Sequence, residues 1–396
     1  MRNSFSDILA VFRAFLRLGC TSFGGPVAHL GYFRDEFVKR RKWVDERQFV
    51  DLVALCQFLP GPASSQVAMA VGRLRAGLAG GLAAWLGFTT PSALGLILLG
   101  YASPLISGGI GIGWIHGLKV VAVAVVALAV WSMASTICID LPKKAVALLA
   151  ALGASLWPTA LCQILVILAA GVASWTLSPS RDHEGSSAPA PARGGHRAAL
   201  AALGAFFLLL GASFILDALF PLSIISIASG FYRSGSLVFG GGHVVLPLLQ
   251  KVVVPQGWVS NDAFLTGYGA AQAAPGPLFS FAAYLGTVMK AQPHGWVGGV
   301  ICLVSIYLPS FLLVPAVMPF WGSLCGRAAV GSALTLINAA VVGLLLAALY
   351  NPVWTSAILS AKDFALALAC FAALALWKVQ PWIVVLTVAV LSFFIY

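Results

Sequence analysis

The stretches QFLPGPASSQ, residues 57–66, and QAAPGPLFSF, residues 272–281, share one pattern: a glutamine, two further residues, then Pro-Gly-Pro, set in apolar surroundings. A helix built only to cross a bilayer has little use for this combination. Proline lacks the amide proton a helix interior needs, and glycine costs conformational entropy. One such break is a kink. The same break at the same spacing in two places suggests a device used twice.

Reading outward from the two breaks extends the match. RLGCTSFGGPVAHL begins at Arg17 and RSGSLVFGGGHVVL at Arg233, so each half has an arginine followed, after five residues, by Phe-Gly-Gly. Trp43-Val44 and Phe49 answer Trp258-Val259 and Phe264. Beyond the breaks, Gly80-Gly81 and Pro91-Ser92 answer Gly298-Gly299 and Pro309-Ser310. Order and spacing hold over about eighty residues, the mark of an internal duplication. Between the copies lies SPSRDHEGSSAPAPARGGHR, a Ser/Pro/Ala/Gly-rich segment of linker composition. The chain thus divides into a first repeat over 1–177, a cytoplasmic linker over 178–197, a connecting transmembrane helix over 198–220 and a second repeat over 221–396.

Composition sets the solvent. Of 396 residues, 60% are hydrophobic and only 9% charged, too few charges to cover a water-soluble protein of this size. Apolar runs such as Val120–Val130 and Leu200–Leu216 read as helices rather than barrel strands, so the fold class is all-α integral membrane. The net charge of +11 sits in connecting segments. It reads as membrane orientation, not nucleic-acid binding. No cleavable leader is expected, because the first twenty residues run with three arginines straight into an apolar element. The seven cysteines, Cys20, Cys56, Cys138, Cys162, Cys302, Cys325 and Cys370, form no CxxC pair and read as small packing residues. Neither a metal site nor a cofactor is expected. HExxH, a paired-histidine haem pattern and a nucleotide-binding domain are all missing from the sequence, which argues against an enzyme.

Charge placement orients the repeats. RDEFVKRRKWVDER, residues 34–47, holds six Lys/Arg, and Arg73 and Arg75 follow the first Pro-Gly-Pro. The matching places in the second half hold only Lys251 and Lys290. Cytoplasmic loops collect Lys and Arg. The first set is therefore expected inside and the second outside, giving two repeats of inverted topology with the N-terminus cytoplasmic. Basic residues flank both sides of Leu18–Phe33 and of Val50–Gly72, so these broken elements are expected to enter and return. The count is about nine full spans plus four re-entrant hairpins, or up to thirteen crossings if the broken elements span. The expected spans are roughly 76–101, 111–136, 143–156, 158–177, 198–220, 296–320, 328–350, 356–376 and 380–396, with SPLISGGIG, residues 103–111, outside.

The breaks have a chemical use. Pro60 and Pro275 end one arm, and Pro62, Pro277 and Pro26 are placed to open the next. A helix start offers unpaired N–H groups and about half a positive charge, which at membrane depth makes an anion site. Gly24, Gly25, Gly61, Gly240, Gly241 and Gly276 let an oxyanion approach the backbone. Ser64, Ser65 and Gln66 after one break, and Ser280 after the other, can donate. Gln57 and Gln272, one turn before each break, either touch the ion or satisfy freed carbonyls. Arg17 and Arg233 are further candidates, since Arg stays charged and its planar fork suits oxyanions. For Arg17 the alternative is an interfacial anchor. His29, His243 and Asp51 are proton-coupling candidates, with packing roles for the histidines and a solvated mouth for Asp51 as alternatives. Other acids, Asp7, Asp140, Asp217 and Asp363, lie near expected span ends. Their scarcity argues against a cation path.

The two regions FGGPVAHLGYFRDEFV (23–38) with WVDERQFVDLVALCQFLPGPASSQVAMAVG (43–72), and FGGGHVVLPLL (239–249) with GWV (257–259) and FLTGYGAAQAAPGPLFSFAAYLG (264–286), resemble the two signature regions of the chromate transporter family. The resemblance is to its long-chain, two-domain members and covers nearly the whole chain. It implies a secondary transporter in the bacterial inner membrane that exports chromate, driven by the proton motive force, and confers chromate resistance. The implied partners are chromate, sulfate as the competing oxyanion, and protons; a homodimer is left open. The residues themselves give only an anion path. A transporter or channel for sulfate or another oxyanion is the alternative.

Overall fold

The computed structural model describes residues 5–106, 112–157, 159–177, 196–220, 224–239, 242–321 and 328–395, which form helices and no strand among the described residues. In hydrocarbon only a helix satisfies its own backbone within one segment, and the composition leaves no other option. Five helical stretches are long and apolar enough to cross a membrane, among them Gly113–Ile137, His196–Leu219 and Gly295–Phe320.

The first half opens with α1 (Phe5–Thr21) and α2 (Gly25–Phe33), separated by a break. Next come α3 (Glu46–Phe58) and α4 (Ala63–Ile106), separated by the first Pro-Gly-Pro. Then follow α5 (Ile112–Ile137), α6 (Leu141–Leu156) and α7 (Ala160–Leu177). A connecting helix, α8 (His196–Leu219), leads to the second half. There α9 (Ile224–Leu237), α10 (Val245–Val253) and α11 (Asn261–Ala273) match α1 to α3 in order, and α12 (Phe281–Val288) with α13 (Gly295–Val317) together match α4. The chain ends with α14 (Ala328–Ala348), α15 (Ala361–Ala375) and α16 (Pro381–Ile395). Most of the expected linker lies outside the described residues; the connecting helix begins at His196, two residues before the expected 198.

The arms around the breaks are short. Helix α3 has 13 residues, about 20 Å at the helical rise, against about 30 Å of hydrocarbon. Helix α4 is not one rod: helical dihedrals break at Ala76–Gly77, where Gly77 takes φ +66°. The chain folds back across this kink so closely that a methyl on Gly72 or Gly80 would strike the other's carbonyl oxygen. The kink divides a short arm, 63–75, from the long span after it, where the sequence puts the boundary.

One expectation changes. Residues 34–47 read as a basic loop, yet Arg34–Arg40 continues α2 as a wider π-helical turn. Charge pairing within the segment supports it. Lys39 meets Asp35 at 2.7 Å, and Arg40 and Arg41 meet Glu36 at 3.0 and 2.6 Å. The true loop is only 41–45, closed by Asp45, which caps α3 reciprocally with Gln48.

Packing repeats across the halves. Helix α1 lies along α4, and α9 along α13. The contact is tight at matched glycines: a methyl on Gly19 or Gly235 would strike the carbonyl oxygens of Phe88 and Ile306. Phe15 and Phe231, at matched positions, are both fully buried. The later helices are exchanged. Helix α5 packs on α15 and α16 of the second half, and α14 packs on α6 and α7 of the first. Each half therefore completes its partner, and the breaks meet at the centre.

Candidate functional site

The Pro-Gly-Pro breaks are held by backbone. Gly61 takes φ +122° and Gly276 φ +94°, the left-handed region where glycine is unstrained. The Gly61 amide donates to the Val238 carbonyl at 2.8 Å, and the Gly276 amide to the Ser22 carbonyl at 2.9 Å. Ser22 and Val238 each directly precede a Phe-Gly-Gly. Each half thus docks its Pro-Gly-Pro onto the glycine break of the other.

A cavity of about 590 Å³ lies between these breaks. Gly24, Gly25 and Pro26 line it at the start of α2, and Gly61 and Ala63 at the start of α4. Gly242 lines it at the start of the turn into α10, and Gly276 and Leu278 at the start of the turn into α12. Four helix beginnings therefore face one space, each with donors that lack a preceding turn. Gln57 and Gln272 join the lining. Among the described residues, no charged side chain lines this cavity.

Two lining side chains carry buried polar atoms without a partner: Nε2 of Gln272 and Oδ1 of Asn338. An unsatisfied buried polar group costs about 1–3 kcal/mol, so their retention beside the helix starts is informative. Ser132 and Thr136 on α5 complete the polar lining. The sequence reading passed over Ser132, Thr136, Asn338 and Gly242. Ser132 and Thr136 stand one turn apart at the end of an apolar helix, and Asn338 is a lone amide in an apolar run; those were the available signals.

The serines after the breaks face elsewhere. Ser64 Oγ lies 3.4 Å from His29 Nδ1, and Ser65 Oγ 3.4 Å from the Tyr307 hydroxyl. Ser280 Oγ lies 2.7 Å from Ser92 Oγ. Gln66 donates to the Pro60 carbonyl at 2.7 Å and to Ser310 Oγ at 3.1 Å. The carbonyl freed at the first break is thus satisfied by Gln66, which leaves Gln57 to the cavity. These contacts form a buried polar layer behind the helix starts, bridging the halves through Ser92 and Ser310.

Arg17 is exposed on α1 and outside the cavity lining. Arg233 pairs with Asp217 and donates to the Ser213 carbonyl at 2.7 Å. It lines a separate pocket of about 190 Å³ with Lys251 and Gln163. His29 is buried edge-on against Phe88 at 5.2 Å, and Asp51 is half-buried on α3 away from the lining. Pro62 accepts the first α4 bond from Gln66 at 2.9 Å and so sits one position before the helix proper. Pro275 is half-buried and off the lining. Gly240, Gly241 and the side chain of His243 lie outside the described residues.

Fold and cavity define a multi-pass all-α membrane protein with a central chamber framed by helix breaks. The chain matches the chromate transporter family over residues 9–175 and 225–393, and it belongs to that family. It is 27% identical over 306 residues to the chromate transport protein of Pseudomonas aeruginosa, covering 76% of this chain and 70% of that one. It is 25% identical over 352 residues to the chromate transport protein of Cupriavidus metallidurans, covering 83% and 78%. An uncharacterized transporter of Methanocaldococcus jannaschii is 26% identical over 342 residues, covering 86% and 83%. No solved structure matches the chain.

Proposed function

We propose that this protein is a secondary transporter that exports chromate across the bacterial inner membrane, driven by the proton motive force, and so confers chromate resistance. The observation that carries this reading is the convergence of four helix starts on one cavity without a charged side chain among the described residues. A tetrahedral dianion there is held by backbone N–H groups and the amides of Gln57 and Gln272, in the manner of anion sites at helix N-termini. Arg17 and Arg233, which stand away from the lining, have no part in this cradle. Family membership and the relatives' chromate transport support the choice of ion.

Two repeats of inverted topology, with the N-terminus and the 34–47 segment cytoplasmic, give alternating access by rocking one set of helices against the other. The short arms around the breaks support re-entry rather than crossing. Sulfate shares the charge and tetrahedral shape of chromate and is the expected competitor. The test is chromate uptake into inside-out vesicles, with and without a pH gradient and with sulfate present. Gradient-dependent uptake that sulfate reduces supports the reading. Uptake no greater than in vesicles lacking the protein contradicts it.

A further inference from the structure

A second cavity, of about 610 Å³, lies apart from the glycine breaks. One turn of α5 places His116 and Lys119 in its wall, and each meets an acid from another helix. His116 Nε2 lies 2.8 Å from Asp363 Oδ1, and Lys119 Nζ 2.8 Å from Asp262 Oδ1. The chain has only 12 acidic residues, so two of them converging on one cavity calls for an account.

The two acids are placed alike. Asp262 stands in the first turn of α11 behind its cap Ser260, and Asp363 in the first turn of α15 behind its cap Ser360. Their surroundings differ. Asp262 is largely exposed to the cavity, whereas Asp363 is almost wholly buried. Asp363 also accepts from the Leu359 amide at 3.0 Å and from Ser360 Oγ at 2.9 Å. These donors hold the Asp363 side chain in one place, so that it fixes what faces it. What faces it is an imidazole, the side chain whose charge changes within the physiological range.

The same helices reach both cavities. Helix α5 carries His116 and Lys119 at one end and Ser132 and Thr136 at the other. Helix α11 carries Asp262 and Thr266 at its start and Gln272 near its end. Helix α15 carries Asp363 at its start and Leu374 at its end. A change in charge at the second cavity therefore acts on helices that wall the central one.

We propose that His116, held against Asp363 beside the Lys119–Asp262 pair, is the proton-coupling site of the transporter. The inference rests on the proton-driven reading above. Protonated, the ring donates to Asp363 as an ion pair, closing α5 on α15. When the proton leaves Nε2 or Nδ1 to water in the cavity, the ion pair becomes a contact between a neutral ring and the Asp363 carboxylate. It survives only in the tautomer that keeps Nε2–H. Among the described residues, the titratable groups that line the cavity with His116 are Lys119 on α5, Asp262 on α11, Asp363 on α15, and Tyr284 on α12, whose hydroxyl donates to the Ala263 carbonyl at 3.1 Å. Also packed on α5, the described side chains of α14 and α16 bring no ionisable group, while α15 brings Lys362 and Cys370 and the turn at Leu349–Trp354 brings Tyr350.

The test uses the full chain in proteoliposomes and compares pH-gradient-driven chromate accumulation with chromate–chromate exchange, which needs no net proton movement. His116→Gln, and separately Asp363→Asn, which keeps a capping amide, lose gradient-driven accumulation and retain exchange. Exchange in the variants also loses the pH dependence seen in the parent. Gradient-driven accumulation at the parent level in both variants overturns the proposal. Loss of exchange in both overturns it as well, since the residues are then structural caps. If the parent exchanges chromate yet ignores the gradient, the proton-driven reading fails and takes this site with it.

Discussion

The amide of Gly61 donates to the carbonyl of Val238 across 2.8 Å, tying the first Pro-Gly-Pro to the residue before the second Phe-Gly-Gly. The matched bond, Gly276 to Ser22 at 2.9 Å, runs the opposite way. Two backbone bonds between matched positions hold four helix starts around one space. The proposed cradle depends on this exchange, because a helix start binds an anion only if its free donors are aimed and fixed.

Gly61→Ala tests that exchange. The φ of +122° is strained for alanine, and its Cβ would meet Gln66 Nε2 at 2.6 Å and Ser310 Oγ at 2.7 Å. Backbone strain of this kind costs about 1–3 kcal/mol. The melting temperature in detergent falls and chromate transport falls with it. Gly31→Ala, with open space around the new methyl and no positive φ, leaves both unchanged.

Gln272→Leu and Asn338→Leu separate binding from stability. Asn338→Leu removes a buried oxygen that has no partner, so stability is held or rises by up to about 1–3 kcal/mol. Gln272→Leu trades an unpaired amide proton against the side chain's contact with the Tyr268 hydroxyl. Chromate transport by reconstituted protein nonetheless drops. A loss of stability matching the loss of transport would make these residues structural.

Ser92 and Ser280 join the halves behind the helix starts through a 2.7 Å contact. A double-mutant cycle of Ser92→Ala and Ser280→Ala, read by denaturation in detergent, gives a coupling of about 0.5–1.5 kcal/mol. A coupling of zero means the contact bears no load.

Arg233→Ala lowers stability by leaving the half-buried Asp217 carboxylate without its cation, with only the Ser226 hydroxyl still donating to it among the described contacts. Asp217→Asn in the same chain restores part of the loss. Arg17→Ala, on an exposed face, leaves both stability and transport unchanged. Failure of efflux in Arg17→Ala at parental stability would place that arginine in the anion path.

Acid weakens the 34–45 segment through Glu36. Burial raises the affinity of Glu36 for a proton, but Arg41 and Arg40 outweigh it and hold the carboxyl below the ordinary value of 4.5. The folded state then binds a proton less readily than the unfolded chain. The stabilisation is complete above the ordinary carboxylate range and is lost as pH falls through the lowered value. Corrected for the intrinsic exchange rate at each pH, hydrogen-exchange protection of residues 34–45 falls at acid pH in the parent, whereas in Glu36→Gln it is low already at neutral pH.

Much of the fold is legible in the sequence because proline and glycine act locally. Pro26, Pro60, Pro62, Pro275 and Pro277 fall at helix ends whatever surrounds them. The kink at Ala76–Gly77 falls where the long span is expected to begin. The 34–40 helix was hidden because its support is charge pairing at helical spacing inside a run that reads as a cytoplasmic loop. At the site, residue type suggested Gln57 and Gln272 but not the direction of Ser64, Ser65 and Ser280, which is set by His29, Tyr307 and Ser92, far away in the chain. Asp217 likewise decides the surroundings of Arg233. No local pattern reveals which helix of one half packs on the other.

The central claim is that the cavity between the four breaks binds the oxyanion, and titration of chromate into purified protein tests it most directly. The account predicts saturable binding that sulfate competes for, lost in the Gln57→Leu/Gln272→Leu double variant and intact in Arg17→Ala. Binding of parental strength in the double variant would contradict it.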